Sequence, residues 1–170
     1  MMCRVCRSLG RQGLVCLAAL VHLTIIAGPQ IALGEGRCLP SAHRGERGPA
    51  FDNSLEAIRA AKGLPYVEID VRITFENELI LFHDRRLSAT NTVGVSQGIG
   101  RRIESLSRSE LTSIRFPDGS KIAKLRSALY EAEKLGLTLM LDVKSTSQRD
   151  FRRVMEEVVQ ANAESRVIVQ

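Results

Sequence analysis

Apolar residues recur along this chain at two spacings, and the two alternate. Residues 66–73 place Ile69, Val71 and Ile73 at every second position with Glu68 and Asp70 on the opposite face, the pattern of a half-buried strand. Residues 78–83 form a second extended run, reached through a turn at Glu76-Asn77, and residues 137–143 a third, with Leu137, Leu139 and Leu141 in step. Between these runs the spacing is helical. Leu55, Ala57, Ile58 and Ala61 follow a cap at Asn53 or Ser54 and stop at Lys62-Gly63 and Pro65. Leu125, Ala128, Leu129, Ala132 and Leu135 share one face over 124–135, which Gly136 ends. Phe151, Val154, Met155, Val158 and Val159 do the same over 148–161, and residues 166–170 begin a further strand. Residues 84–121, rich in Arg, Ser, Thr and Gly, read as a long functional loop with one short helix opened by the capping box Ser107-Arg108-Ser109-Glu110. Strands alternating with helices of this length predict βα units: an α/β fold with a parallel sheet and helices outside it.

The first 34 residues depart from this rhythm. Arg4, Arg7 and Arg11 precede an apolar stretch from Leu14 to Ala27, then comes Gly28-Pro29, then the small-residue site Ala32-Leu33-Gly34. This is the layout of a secretory signal peptide, with an exported domain over 38–170. The alternative is an uncleaved anchor over 13–33, which approaches the roughly 20 apolar residues that span a bilayer. Of four cysteines, only Cys38 stays behind with the exported domain, so its stability must come from a core rather than from disulfides. The net charge of +5 owes three units to the leader arginines. The remainder is close to balanced, and only seven of 170 residues are aromatic, which argues against nucleic acid as a partner.

The chemistry-bearing residues cluster at strand ends. Glu68 and Asp70 leave the same face of one strand, where two carboxylates can meet one cation, and oxygen-only ligands favour Mg²⁺ or Ca²⁺. Asp142 and Lys144 repeat the spacing where an apolar strand ends, the side on which parallel βα architectures bind ligands; a plain Asp–Lys ion pair is the competing explanation. His43 precedes Arg44, whose planar fork suits phosphate, and Gly45, which lets the backbone pass close to a ligand. His83 ends an apolar run and is followed by Asp84, which can orient its ring. Two imidazoles, cations and metal-grade carboxylates supply what phosphodiester cleavage needs: a base, an acid and charge neutralisation.

These residues, A-H-R-G at 42–45, D-N-S at 52–54, V-E-I-D-V-R-I-T at 67–74, L-F-H-D at 81–84 and L-D-V-K at 141–144, resemble the glycerophosphodiester phosphodiesterase family, a divergent TIM barrel. The resemblance covers about residues 40–170, roughly the first four βα units of a (β/α)8 barrel. It implies His43 and His83 as the acid–base pair, and Glu68, Asp70 and Asp142 as ligands of a divalent metal, Mg²⁺ or Ca²⁺. Arg44 and Lys144 would bind the substrate phosphate, with Asn53 and Asp84 supporting the site. The implied reaction is hydrolysis of a glycerophosphodiester, or a lysophospholipid-type substrate, to glycerol 3-phosphate and an alcohol, with the glycerol hydroxyl assisting. Three departures stand out. Asp142 replaces a glutamate of the family pattern, Ala89-Thr90-Asn91 stands where Arg-Thr-Thr is usual, and Ala123-Lys124-Leu125-Arg126-Ser127 where Pro-Thr-Leu-Glu-Glu is usual. Because a TIM barrel takes about 250 residues, truncation is expected to impair turnover. The alternatives at this point are an inactive remnant that binds metal or phosphate weakly, and head-group cleavage by intramolecular transfer, as in sphingomyelinase D-like lipases.

Overall fold

The computed structural model describes residues 39–46, 48, 50–94 and 98–170. The leader and anchor expectations, and Cys38, lie outside these residues. Among the described residues no helix is long and apolar enough to cross a membrane.

Four parallel strands run through the five-stranded sheet: β1 (Ser41–His43), β2 (Tyr66–Ile73), β4 (Thr138–Val143) and β5 (Val167–Val169), hydrogen-bonded in the order β1-β2-β4-β5. The helices α1 (Leu55–Ala60), α3 (Leu125–Leu135) and α4 (Gln148–Gln160) follow β1, β2 and β4 in sequence. The expected α/β arc of a βα barrel is therefore present, with three strand–helix pairs and the strand of a fourth.

The alternation read from the sequence decides the faces. Val67, Ile69, Val71 and Ile73 point from β2 into one core with Leu139 and Leu141 of β4, Ile58 of α1, Leu125, Ala128, Leu129 and Ala132 of α3, and Val154 and Val158 of α4. Each fully buried aliphatic side chain here stabilises the fold by roughly 1.5–3 kcal/mol relative to exposure. Glu68, Asp70 and Arg72 consequently share the other face. Helix α1 starts where Ser54 Oγ accepts from Ala57 N, so of the two candidate caps Ser54 is the one used. Gly136, at φ 67°, closes α3 in the left-handed conformation that glycine adopts without steric cost.

Three expectations need correction. Strand β3 (Leu79–Leu81) pairs antiparallel with β2, Val71 opposite Leu81 and Ile73 opposite Leu79. The connection from Thr74 to Glu78 is too short for a crossover, and Asn77 turns it at φ 61°. Residues 84–121 are more than a loop with one helix. They hold a 3-10 turn (Ile103–Ser105), α2 (Arg108–Ser113) with its capping box formed, and Leu87, Ile103, Leu106, Ile114 and Phe116, which form a separate core with Phe82. Finally, Phe151 and Val159 stay about half exposed on α4, so its buried stripe is narrower than the periodicity suggested.

Strand β1 pairs with the first half of β2 and β3 with the second half, both on the edge opposite β4. His43 ends β1 beside Glu68, while the chain leaving β3 passes Asp70, whose carbonyl accepts from Phe82 N at 3.1 Å. The two histidine-bearing segments thus approach residues 68–70 from opposite directions.

Candidate active site

Between β1 and β3 the ladder of β2 is interrupted, and the Asp70 N–H would be left without a partner. Asn53 fills the gap: its Oδ1 accepts from Asp70 N at 2.8 Å and its Nδ2 donates to Asp70 Oδ2 at 2.8 Å. Asn53 is buried, sits at φ 62°, and is held by its own N–H donating to Arg44 O at 2.8 Å. Asparagine tolerates this left-handed backbone better than most residues, which fits the position on conformational grounds as well.

The parallel register puts Asp142 opposite Asp70 and His43 opposite Glu68. One oxygen from each of Glu68, Asp70 and Asp142 lies within 4.8 Å of the others, so the shortening from glutamate to aspartate at 142 does not take that carboxylate out of reach. Lys144 lies over this group, 2.8 Å from Asp70 Oδ1 and in contact with Asp142 Oδ2. The Asp70 contact is an ion pair off the hydrogen-bonding direction, and Oδ1 stays buried without a directed donor. A carboxylate oxygen left in that condition, within an all-oxygen donor set, fits a hard divalent cation. The Asp–Lys pair foreseen as the competing explanation does form, but it belongs to the same cluster as the other two acids.

Arg44 bends across the opening. Its N–H donates to Glu68 Oε2 at 2.9 Å, its Nε is 3.3 Å from Asp70 Oδ2, and one terminal nitrogen is 3.6 Å from Asp52. Both cations assigned to phosphate therefore stand against the carboxylates, at the edge of the cluster. His43 Nε2 is 3.8 Å from Glu68 Oε2, and the ring is mostly exposed.

His83 is tied down on two sides. Its Nδ1 is 2.8 Å from Asp84 Oδ1, and Asn91 donates to the other Asp84 oxygen at 2.7 Å. Burial works to raise the Asp84 carboxyl, but the hydrogen bonds from Asn91 and His83, together with the charges of His83 and Arg44, outweigh it and hold the group below the usual carboxylate range. An ionised Asp84 can only accept, so the Nδ1 hydrogen is directed at it and Nε2 faces outward. On the backbone side, Arg72 donates Nε and a terminal nitrogen to His83 O at 3.1 and 2.6 Å, and a second terminal nitrogen to Glu104 at 2.8 Å. A cavity of about 70 Å³ opens here, lined by Arg44, His83 and Asp84 and backed by stacked Phe51, Phe116 and Phe82.

All nine residues selected from the sequence fall within this region, while Arg72, Glu104 and Asn91 were missed. Asn91 lies in the stretch that departs from the family pattern, and Arg72 sits two residues beyond Asp70 on the carboxylate face, the one signal that could have found it.

Burial raises the Glu68 carboxyl, and the Asp70 and Asp142 charges add to this, while the Arg44 N–H and His43 oppose it. A carboxyl raised on folding favours the native state while protonated, and that contribution is lost as pH rises through the folded pKa. Ionised Glu68 is thus a cost at neutral pH unless a cation joins it. Glu68→Gln should melt at least as high as wild type at pH 7 without divalent cations, with the difference shrinking toward pH 4, and should lack the rise in Tm with Mg²⁺ or Ca²⁺ that is expected of wild type. Thermal unfolding with and without each ion checks both statements.

The sequence model of the glycerophosphoryl diester phosphodiesterase family matches residues 43–169. Among solved structures, the chain is similar to a glycerophosphodiester phosphodiesterase from Parabacteroides distasonis, at 25% identity and a TM-score of 0.64, over 76% of this chain and 54% of that one. A phosphodiesterase from Oleispira antarctica, solved with the product sn-glycerol-3-phosphate, aligns at 26% identity and a TM-score of 0.58, over 74% and 53%. A glycerophosphodiester phosphodiesterase from Agrobacterium tumefaciens shares the fold at 22% identity and a TM-score of 0.64, over 76% and 56%. The chain spans about half the length of these solved relatives. No curated protein matches it.

Proposed function

The chain belongs to the glycerophosphoryl diester phosphodiesterase family, and from that premise we propose that it hydrolyses glycerophosphodiesters to glycerol 3-phosphate and an alcohol with a divalent cation. The observation that carries the proposal is the convergence of both histidines and three carboxylates on residues 68–70 of one strand.

Glu68, Asp70 and Asp142 would hold the cation, either Mg²⁺ or Ca²⁺. When bound, it would neutralise charge on the phosphate and favour ionisation of the attacking water. The chain's own residues supply the proton transfers. His83, with Nδ1 bound to Asp84 and its carbonyl held by Arg72, presents Nε2 to take the proton of the attacking oxygen as that oxygen bonds to phosphorus. His43, beside Glu68, gives a proton to the alcohol oxygen as its bond to phosphorus breaks. Arg44 and Lys144 bind phosphate oxygens, and each must loosen its present carboxylate contacts to do so. Asn53 keeps Asp70 in place throughout. Export directed by residues 1–34 belongs to the same reading, since an external enzyme of this kind would scavenge phospholipid head-group esters.

The test is release of glycerol 3-phosphate from glycerophosphoglycerol, whose leaving alcohol is uncharged, by the purified 170-residue chain. Release should require Mg²⁺ or Ca²⁺ and stop with chelator. No release in either ion, from protein with a cooperative melt, would overturn the assignment for this chain, and a cyclic phosphate product would favour intramolecular transfer instead.

A further inference from the structure

A cavity of about 600 Å³ adjoins the carboxylate cluster across Lys144. Its lining carries four cations, Arg72, Arg85, Arg102 and Lys144, and two acids, Glu104 and Asp150. Four of these six are already occupied: Arg72 with Glu104 and His83 O, Lys144 with Asp70 and Asp142, and Asp150 with Ser145 Oγ. Arg85 and Arg102 have no side-chain partner among the described residues. Their backbones are nevertheless fixed, because Ile103 N donates to Arg85 O at 3.0 Å, Leu87 N donates to Arg101 O at 3.0 Å, and Arg86 bridges Arg102 in a short antiparallel ladder. Two unpaired guanidiniums on a fixed ladder, facing a cavity of ligand size, present a net positive surface for an anion.

Resting on the phosphodiesterase reading, we infer that Arg85 and Arg102 form a second anion subsite, which selects diesters whose leaving alcohol itself carries a phosphate. Lys144 lines the cavity and also reaches the carboxylate cluster, so a scissile phosphate held there has its substituent beside the two arginines. The glycerol arm of the substrate is uncharged, so the complementary charge belongs to the alcohol arm. The cavity of about 70 Å³ at His83 is too small to take a phosphorylated head group. A cationic head group such as choline would meet repulsion at Arg85 and Arg102.

The test is calorimetric binding to the full chain in saturating Mg²⁺, with His83→Ala to silence turnover. The probes are glycerophosphoglycerol, glycerophosphoinositol 4-phosphate, and inositol 4-phosphate alone. The phosphorylated diester should bind roughly tenfold tighter than glycerophosphoglycerol, about the gain from two charge-assisted hydrogen bonds. Adding Arg85→Gln and Arg102→Gln should remove that preference while leaving glycerophosphoglycerol within about twofold, judged against the same tenfold scale. The paired lysine substitutions should retain most of it, which separates charge from misfolding. Equal affinity for the two diesters in the otherwise native chain, or a preference that survives the glutamines, overturns the subsite. Binding of inositol 4-phosphate alone, abolished by the glutamines, with neither diester bound, would uphold the anion site and overturn the phosphodiesterase reading.

Discussion

Gly45→Ala should destabilise the domain by about 3 kcal/mol, the combined scale of an overpacked contact and a strained left-handed residue. Gly45 adopts φ 91°, and a Cβ built there would lie 2.5 Å from Ala57 Cβ and 2.8 Å from Ala57 C. The neighbour is helix backbone and cannot turn aside. It is also engaged, since Ala57 O accepts from Glu46 N at 3.0 Å. With total stabilities of about 5–15 kcal/mol for a domain, such a loss leaves a large unfolded fraction at 37 °C. Chemical denaturation of the purified variant measures it, and a midpoint unchanged from wild type would show that α1 and the turn after β1 are not packed as described. Because the same turn carries His43 and Arg44, the variant should lose activity with the fold.

His43→Ala should behave oppositely, lowering glycerol 3-phosphate release by about a thousandfold, the middle of the range for removing one acid–base group, with no loss of stability. The ring is mostly exposed, and its one charged contact among the described residues is with Glu68 at 3.8 Å, so truncation opens no cavity there. His83→Ala is less clean, because the His83 ring also holds Asp84, which Asn91 shares. Steady-state rates read beside melting curves separate the two roles. Unaltered turnover in a folded His43→Ala protein would remove His43 from the chemistry and leave the carboxylate cluster to be explained otherwise.

Much of the site is legible in the sequence alone. The period-two pattern of β2 required Glu68 and Asp70 to leave one face, and the apolar residues between them required that face to be the one turned from the helices. His83 and Asp142 announced themselves as polar residues at the ends of apolar runs, and His43 by the Arg44-Gly45 that follows it. The antiparallel turn of β3 was also within reach, since the few residues from Thr74 to Glu78 cannot hold a crossover helix, but the alternation of elements pointed to a uniformly parallel sheet. Residues 84–121 concealed their core because its apolar members are spread among isolated bridges and short helices, where neither period repeats long enough to be seen.

Local periodicity acts over a few residues, and so the sequence by itself determined which side chains share a strand face, where helices begin and end, and which acids and imidazoles were available. Only the tertiary structure decided how they meet. The register that sets Asp142 opposite Asp70, the gap in the ladder that Asn53 fills, the hold of Arg72 on His83, and the freedom of Arg85 and Arg102 beside paired neighbours are products of long-range packing. A charge finds its partner in three dimensions, and every other charge within reach competes for it.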